Sequence, residues 1–249
     1  PLHEAGAEVT TSPEKAIQGA NCLILMLTNA AAIQDTILSE ETRSHLTNHT
    51  IIQMATIAPS ESREIRDAVV KAGGEYLEAP VLGSIPQVKS GTLQVMVGAS
   101  ESQFQQWLNL LKNFGEPMLI GEVGTASALK LALNQLIASL TNAFALSLGL
   151  VQREGVNVET FMSVLRESAL YAPTFDKKLE RMCDRNFSNP NFPTKHLLKD
   201  IDLFLNQAQS LNLNTQNLEG VRQVVQKAMD LGLCDEDYSA LYTAVNPQE

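Results

Sequence analysis

Apolar residues fall in short unbroken runs along the first half of the chain and at helical spacing along the second, and the change happens once. The runs Asn21-Cys22-Leu23-Ile24-Leu25-Met26-Leu27 and Thr50-Ile51-Ile52-Gln53-Met54 have the pattern of strands covered on both faces in a parallel sheet. Tyr76-Leu77-Glu78-Ala79, Leu93-Gln94-Val95-Met96-Val97 and Met118-Leu119-Ile120 add three more. Between them the spacing predicts helices over 30–38, 59–71 and 102–112; Pro59-Ser60-Glu61 opens the second and Gly73-Gly74 stops it. Strands alternating with helices imply a doubly wound α/β sheet. Residues 1–9 read as the last turn of a helix, a stop at Gly6 and a short extended piece, so the chain is expected to start in mid-fold.

After Gly124 the strand pattern ends. Residues 125–152 are predicted to form one helix about 40 Å long at 1.5 Å per residue. Further helices are expected over 158–167, 174–183, 197–211 and 218–231, with a short piece near Tyr238 and a loop with two prolines over 186–193. The expected fold is a doubly wound sheet domain, 1–123, followed by an all-α domain, 124–249.

Composition narrows the function classes. With 44% hydrophobic and 18% charged residues this is an ordinary globular chain, not a disordered one. A net charge of -10 and a pI near 4.9 oppose a phosphate backbone or an anionic lipid surface, so neither nucleic acid nor membrane is an expected partner. Cys22, Cys183 and Cys234 are far apart and never in a C-x-x-C arrangement, which argues against a disulfide framework and a zinc site and suits a reducing cytoplasm. His3, His45, His49 and His196 show no ligand spacing, and no metal is assigned.

One residue stands out against this background. Between Val123 and Gln152 the sole charged side chain is Lys130. An ammonium on an otherwise uncharged helix that must pack costs several kcal/mol unless a partner or cleft receives it. A lysine so held has its pKa pushed down by desolvation, which is how an acid/base lysine is obtained. Asn134 lies at i+4 on the same face, and Ser127 sits one turn before. Two bland readings stay open on spacing alone. Lys130 could snorkel to a domain edge, and residues 131–151 have the length of a membrane span, although Asn134, Gln135 and Asn142 interrupt it and no basic flank orients it.

The run Gly121-Glu122-Val123-Gly124-Thr125-Ala126-Ser127-Ala128-Leu129-Lys130-Leu131-Ala132-Leu133-Asn134 resembles the G-x-x-G-x-x-x-x-x-K-x-x-x-N signature of the β-hydroxyacid dehydrogenases. Met26-Leu27-Thr28 resembles the family's cofactor-contacting strand end, with Thr28 where a proline is usual. Met54-Ala55-Thr56-Ile57-Ala58-Pro59 resembles its S-T-x-x-P element, with Ala55 for the serine. Glu78-Ala79-Pro80-Val81-Leu82-Gly83-Ser84 resembles the substrate loop, with Leu82 where a substrate-binding serine is usual. Phe192-Pro193-Thr194-Lys195-His196-Leu197-Leu198-Lys199-Asp200 and Asp237-Tyr238-Ser239-Ala240 continue the match, so the resemblance covers essentially the whole chain, nearest to the glyoxylate/succinic semialdehyde reductase branch.

The resemblance implies a Rossmann-type domain followed by an all-helical one, and hydride transfer between NAD(P)(H) and a small hydroxy acid or semialdehyde of the glyoxylate, succinic semialdehyde or 3-hydroxyisobutyrate type. It makes Lys130 the catalytic acid/base. Gly83, Ser84, Asn134, Phe192 and Asp200 would meet the substrate, and Leu27, Thr28, Thr56 and Lys199 the cofactor, with NADP slightly preferred over NAD. Asp200 could instead fix Lys199. The family's opening strand, glycine loop and helix have no counterpart here, so the front of the domain is expected to be absent, a deficit of roughly forty residues. The fragment would then be inactive by itself. A homodimer or homotetramer is expected, the long apolar helix being suited to burial against a second subunit. The alternative is a cofactor-free homologue serving as a binding or scaffolding module. An imine reductase-like relative shares the fold, but such relatives usually lack the lysine.

Overall fold

The computed structural model describes residues 2–248. The first unit contains α1 (Pro13–Gln18), β1 (Cys22–Leu25), α2 (Ala30–Ile37), β2 (Thr50–Gln53), α3 (Pro59–Lys71), β3 (Glu75–Glu78), β4 (Val81–Leu82), α4 (Ile85–Ser90), β5 (Leu93–Gly98), α5 (Glu101–Leu111) and β6 (Gly115–Gly121). The long helix α6 (Thr125–Arg153) leads to α7 (Val158–Arg166), α8 (Pro173–Asp184), α9 (Thr194–Ser210), α10 (Gln216–Asp230) and α11 (Leu241–Val245). Compact units are Pro1–Lys130 and Leu131–Glu249. The division falls inside α6, whereas the change of pattern in the sequence marks where that helix begins; its first turn belongs with the sheet because Ala126 and Ser127 are buried there.

The sheet runs β1-β2-β3-β5-β4, with β6 also on β5. β1, β2 and β3 are parallel neighbours, and Leu25, Gln53 and Glu78 lie in register across them. Adjacent residues of each strand serve opposite faces. Ile51 and Tyr76 join one core with Ile33, Ile65 and Val69, whereas Ile52 and Leu77 join another with Val95 and Leu111. Fully burying each such side chain contributes about 1.5–3 kcal/mol, so both faces need their helices.

The sheet is not wholly parallel. β5 runs antiparallel to β3 and β4. A parallel return needs a crossover of roughly a dozen or more residues, usually a long helix. Here the connection is spent on β4 and the short α4, which the strand-and-helix reading of the sequence left out, as it did α1. Residues 2–6 form hydrogen-bonded turns with Gly6 at φ +90, in keeping with the expected stop; Pro1 lies outside the described residues.

In the second unit α6 supplies Ala138, Phe144, Ala145 and Leu148 to a core shared with Met162, Phe175, Leu197, Ile201 and Val225. By length and composition α6 could cross a membrane; here these residues make it a core helix. α9 starts earlier than the apolar spacing implied, because Thr194 is drawn in by the neighbouring chain: its amide and hydroxyl both donate to the Glu236 carbonyl, at 2.9 and 3.0 Å.

Candidate active site

In the first unit the sequence-predicted residues leave one rim of the sheet. Leu27, half-buried, and Thr28, exposed, follow the carboxyl end of β1. Thr56, half-buried, follows the carboxyl end of β2. The connection from β2 is held by the fully buried Gln53, which reaches back to it: its Nε2 donates to the Ala55 carbonyl at 3.1 Å, and its Oε1 accepts from the Ala55 amide. Pro59 then opens α3, and Glu61 accepts from the Ala58 amide at 2.7 Å. In open α/β sheets, ligands bind outside the carboxyl ends of the strands. Thr28 and Thr56 thus follow two adjacent parallel strand ends on that rim.

Gly83 and Ser84 follow β3 and β4. Gly83 has φ +139, and a Cβ there would lie 2.7 Å from the Leu93 side chain, so glycine is required. Ser84 caps α4, its amide and hydroxyl both donating to Gln87 Oε1 at 3.0 and 3.2 Å. The hydroxyl expected for the substrate is thus engaged locally.

Glu78, in the sequence a member of a strand run and of the loop that follows it, had no role of its own. Its side chain is fully buried at the end of β3. Oε1 accepts from the amides of Gly124, Ala126 and Ser127 at 2.7, 2.9 and 3.1 Å; Oε2 accepts from the Ser62 and Ser127 hydroxyls at 2.5 and 2.6 Å. Those amides are orphan donors at the positive N-terminal end of α6, where a carboxylate is favoured. Gly124, at φ +100, turns the chain into the helix. The signal available beforehand was a carboxylate inside an apolar strand. Ser127, one turn before Lys130, spends its hydroxyl on Glu78 and is not turned to a ligand.

Along α6, Lys130 is half-buried and Asn134 follows one turn later. In the second unit Asn134 and Asp200 are each 3% exposed. Asn134 Nδ2 donates to Asp200 Oδ2 at 2.6 Å, and Lys199 Nζ lies 3.0 Å from Asp200 Oδ1. Asp200 therefore orients both the asparagine and the lysine, while Asn134 Oδ1 is buried without a hydrogen-bond partner among the described residues. Phe192 lies on the loop before α9, edge-on to Tyr238 with ring centroids 5.7 Å apart and stacked on His196 at 6.4 Å. Burial, with Lys199 and Lys195 nearby, pulls the His196 pKa below the ordinary 6.5.

A second buried pair supports this loop. Lys178 Nζ donates to both oxygens of Asp237, at 2.8 and 2.9 Å, and sits 4.1 Å from the Tyr238 ring centre. Asp237 also accepts from the Ser239 amide and hydroxyl, and its own amide donates to the Phe187 carbonyl. Burial lowers the Lys178 pKa. It would raise that of Asp237, but the Lys178 and Ser239 donors outweigh burial and hold the carboxyl below its ordinary range. Among the described residues no group of three or more His, Cys, Asp or Glu could hold a metal.

Two family descriptions match consecutive parts of the chain: NAD binding domain of 6-phosphogluconate dehydrogenase over residues 1–124, and NAD-binding of NADP-dependent 3-hydroxyisobutyrate dehydrogenase over 124–245. The chain belongs to the β-hydroxyacid dehydrogenase family. It is 28% identical to glyoxylate/succinic semialdehyde reductase 1 of Arabidopsis thaliana, over 98% of this chain and 85% of that protein. It is also 28% identical to the 2-hydroxy-3-oxopropionate reductase of Escherichia coli K12, over 98% of this chain and 84% of the other. The cytokine-like nuclear factor N-PAC of Drosophila melanogaster is 24% identical over 97% of this chain, which spans 41% of that protein. The 3-hydroxyisobutyrate dehydrogenase of Salmonella typhimurium has the same fold, with a TM-score of 0.82 at 20% identity over 93% of this chain and 82% of its own. An imine reductase from Myxococcus stipitatus in complex with NADP+ gives 0.63 at 17% identity, over 97% and 86%. The fold is a Rossmann-type sheet followed by an all-helical domain, the cofactor class is NAD(P), and the chain falls among NAD(P)-dependent hydroxyacid dehydrogenases.

Proposed function

We propose that this β-hydroxyacid dehydrogenase interconverts a small aldehyde acid and its hydroxy acid, of the glyoxylate, succinic semialdehyde or 3-hydroxyisobutyrate type, with NADP slightly preferred. The observation that carries the reading is the arrangement on α6. Lys130 and Asn134 share one face, and Asn134 is turned by Asp200 so that its carbonyl oxygen is left buried and unpaired. A buried acceptor without a partner costs about 1–3 kcal/mol, a cost that a hydroxyl of the substrate relieves.

A bound NAD(P)(H), which Leu27, Thr28, Thr56 and Lys199 would hold, would supply the hydride for reduction of the carbonyl carbon and accept it in the reverse direction. Lys130, protonated, donates to the developing alkoxide oxygen and accepts that proton in the reverse direction. Asn134 orients the oxygen-bearing carbon, and Gly83, Ser84, Phe192 and Asp200 are the further residues proposed for the substrate. Much of the rate gain is assigned to positioning, which can supply about 7–11 kcal/mol. The cytoplasm is the proposed compartment: Cys22, Cys183 and Cys234 are free, and burial pushes the Cys22 thiol up to about 11, away from thiolate chemistry.

The likeness to N-PAC, whose name states no enzymatic activity, favours one second reading, a binding module without catalysis. Titrating the full-length protein with NADPH and NADH, and assaying turnover of glyoxylate, succinic semialdehyde and 2-hydroxy-3-oxopropionate, separates the two. Saturable binding with turnover supports the dehydrogenase; no binding at millimolar cofactor supports the module.

A further inference from the structure

The Glu78 carboxylate joins the elements that carry Thr56, proposed to meet the cofactor, and Lys130, proposed to serve the substrate oxygen. Thr56 sits on the connection that leads directly into α3, and Ser62 lies at the start of that helix. Lys130 sits one turn after Ser127 on α6. The hydroxyls of Ser62 and Ser127 both donate to the same oxygen, Glu78 Oε2, and the amides of Gly124, Ala126 and Ser127 at the entry to α6 all donate to Oε1. Both ends of this bridge, Thr56 and Lys130, lie in the first unit.

The surroundings leave the carboxylate no freedom. Tyr76, fully buried and in the same strand, shares the Ser62 hydroxyl at 2.9 Å, and burial raises its pKa well above the usual phenol value, so it stays a neutral partner. A Cβ on Gly98, the cross-strand neighbour of Glu78, would lie 2.4 Å from Oε1. On the outer side a Cβ on Gly124 would lie 2.6 Å from the Arg63 guanidinium carbon, so α3 and the entry to α6 are close-packed at a second point. A carboxylate buried this completely is costly unless its lone pairs are met. Five donors meet them, three of them amides at a helix N-terminus, and bonds to an ionised acceptor are roughly twice as strong as neutral ones.

We infer that Glu78 is a positioning residue: its carboxylate clamps the start of α3 to the start of α6 and thereby sets the distance between Thr56 and Lys130. The inference rests on the dehydrogenase reading of Lys130. Hydride and proton must arrive at the two ends of one carbonyl bond, so the spacing of the group that seats the nicotinamide and the amine that serves the oxygen is what the clamp governs. A displacement of about 1 Å in such geometry can cost on the order of a hundredfold in rate.

The test is Glu78→Gln in the full-length protein, with Glu75→Gln, on the exposed start of the same strand, as control. Glutamine keeps the volume and one acceptor for the backbone amides, and both serine hydroxyls can turn to accept from its NH2, so the fold has a way to persist. The expected result is a fall in kcat, per site titrated with NADPH, of about 10- to 100-fold. KM for NADPH should stay within about twofold, and the isotope effect with C4-deuterated NADPH should rise as hydride transfer becomes slower. Ser127→Ala, which cuts only the hydroxyl arm, should show the same split with a smaller loss, of about threefold or more, equivalent to about 0.7 kcal/mol. A thermal shift in Glu78→Gln with unchanged kcat per competent site reduces Glu78 to a structural cap and overturns the inference. Unchanged kcat in Ser127→Ala overturns it even where Glu78→Gln does not fold. A parent protein that turns over no aldehyde acid sinks the dehydrogenase reading and the clamp together, whereas a turning-over parent with unaltered variants sinks the clamp alone.

Discussion

The two residues proposed to carry the chemistry, Lys130 and Asn134, differ in how they are held. Lys130 is half-buried on a helix with no other charge between Val123 and Gln152, whereas Asn134 is fixed by a carboxylate on another helix. Lys130→Ala should lower kcat by roughly a hundredfold or more, within the range general acid–base catalysis supplies. NADPH affinity should change little, and steady-state kinetics with a direct binding titration check both halves. His196 makes a separate prediction. Its pKa is lowered in the folded state, so it contributes stability above the unfolded value of 6.5 that is lost as pH falls through the lower folded value. Thermal midpoints measured between pH 7.5 and 5 should therefore fall less steeply in His196→Gln than in the parent. An identical slope in both would remove the histidine from the acid response.

At the scale of elements, the segment that carries Phe192 and begins α9 is tied down by one ion pair. Lys178 comes from α8 and Asp237 from the turn ahead of α11, and the Tyr238 amide donates to the Phe192 carbonyl at 3.0 Å. Removing one member of a buried pair leaves an uncompensated charge, a loss of about 3–5 kcal/mol. Lys178→Met should lower the melting temperature accordingly by calorimetry, while a Lys178→Met/Asp237→Leu double variant should recover part of the loss. Elements were legible in the sequence wherever one period dominated. The apolar runs of β1 and β2 and the helical spacing of α6 to α10 were readable because burial on both faces, or on one stripe, leaves a local signature. The antiparallel turn of β5 was not, because direction depends on how the connection from β3 folds, here into β4 and α4, and Leu93-Gln94-Val95-Met96-Val97 reads the same either way. Asn134 and Lys130 were legible as an i, i+4 pair. Asp200 was seen, but whether it met lysine, asparagine or substrate was open until the distances were known.

For the whole molecule the exposed side of α6 is the feature that calls for a partner. Leu136, Leu140, Leu146 and Leu150 all lie in the second unit and remain exposed, the last two at 62% each, on a helix whose opposite side fills the core. We propose that this side joins two copies of the chain, the homodimer or homotetramer expected from the sequence. Leu146→Glu with Leu150→Glu should shift the sedimentation mass of the full-length protein to that of a monomer without changing its circular dichroism; a parent that is already monomeric removes the proposal. The same scale explains the charge. A net -10 raises solubility and repels polyanions, but it leaves open which small acid binds, since that is decided by a few local donors.

By itself the sequence determined the class of fold, the place where sheet gives way to helices, and the lysine most worth testing. Each of these is written in near neighbours along the chain: alternation, apolar periodicity, or one charge where none belongs. Tertiary structure alone decided what surrounds those residues. Glu78 meets Ser62 and Ser127, Asn134 meets Asp200, and Lys178 meets Asp237 across long stretches of chain. A buried charge takes whichever donors the packed backbone brings to it, and no local pattern records which those will be.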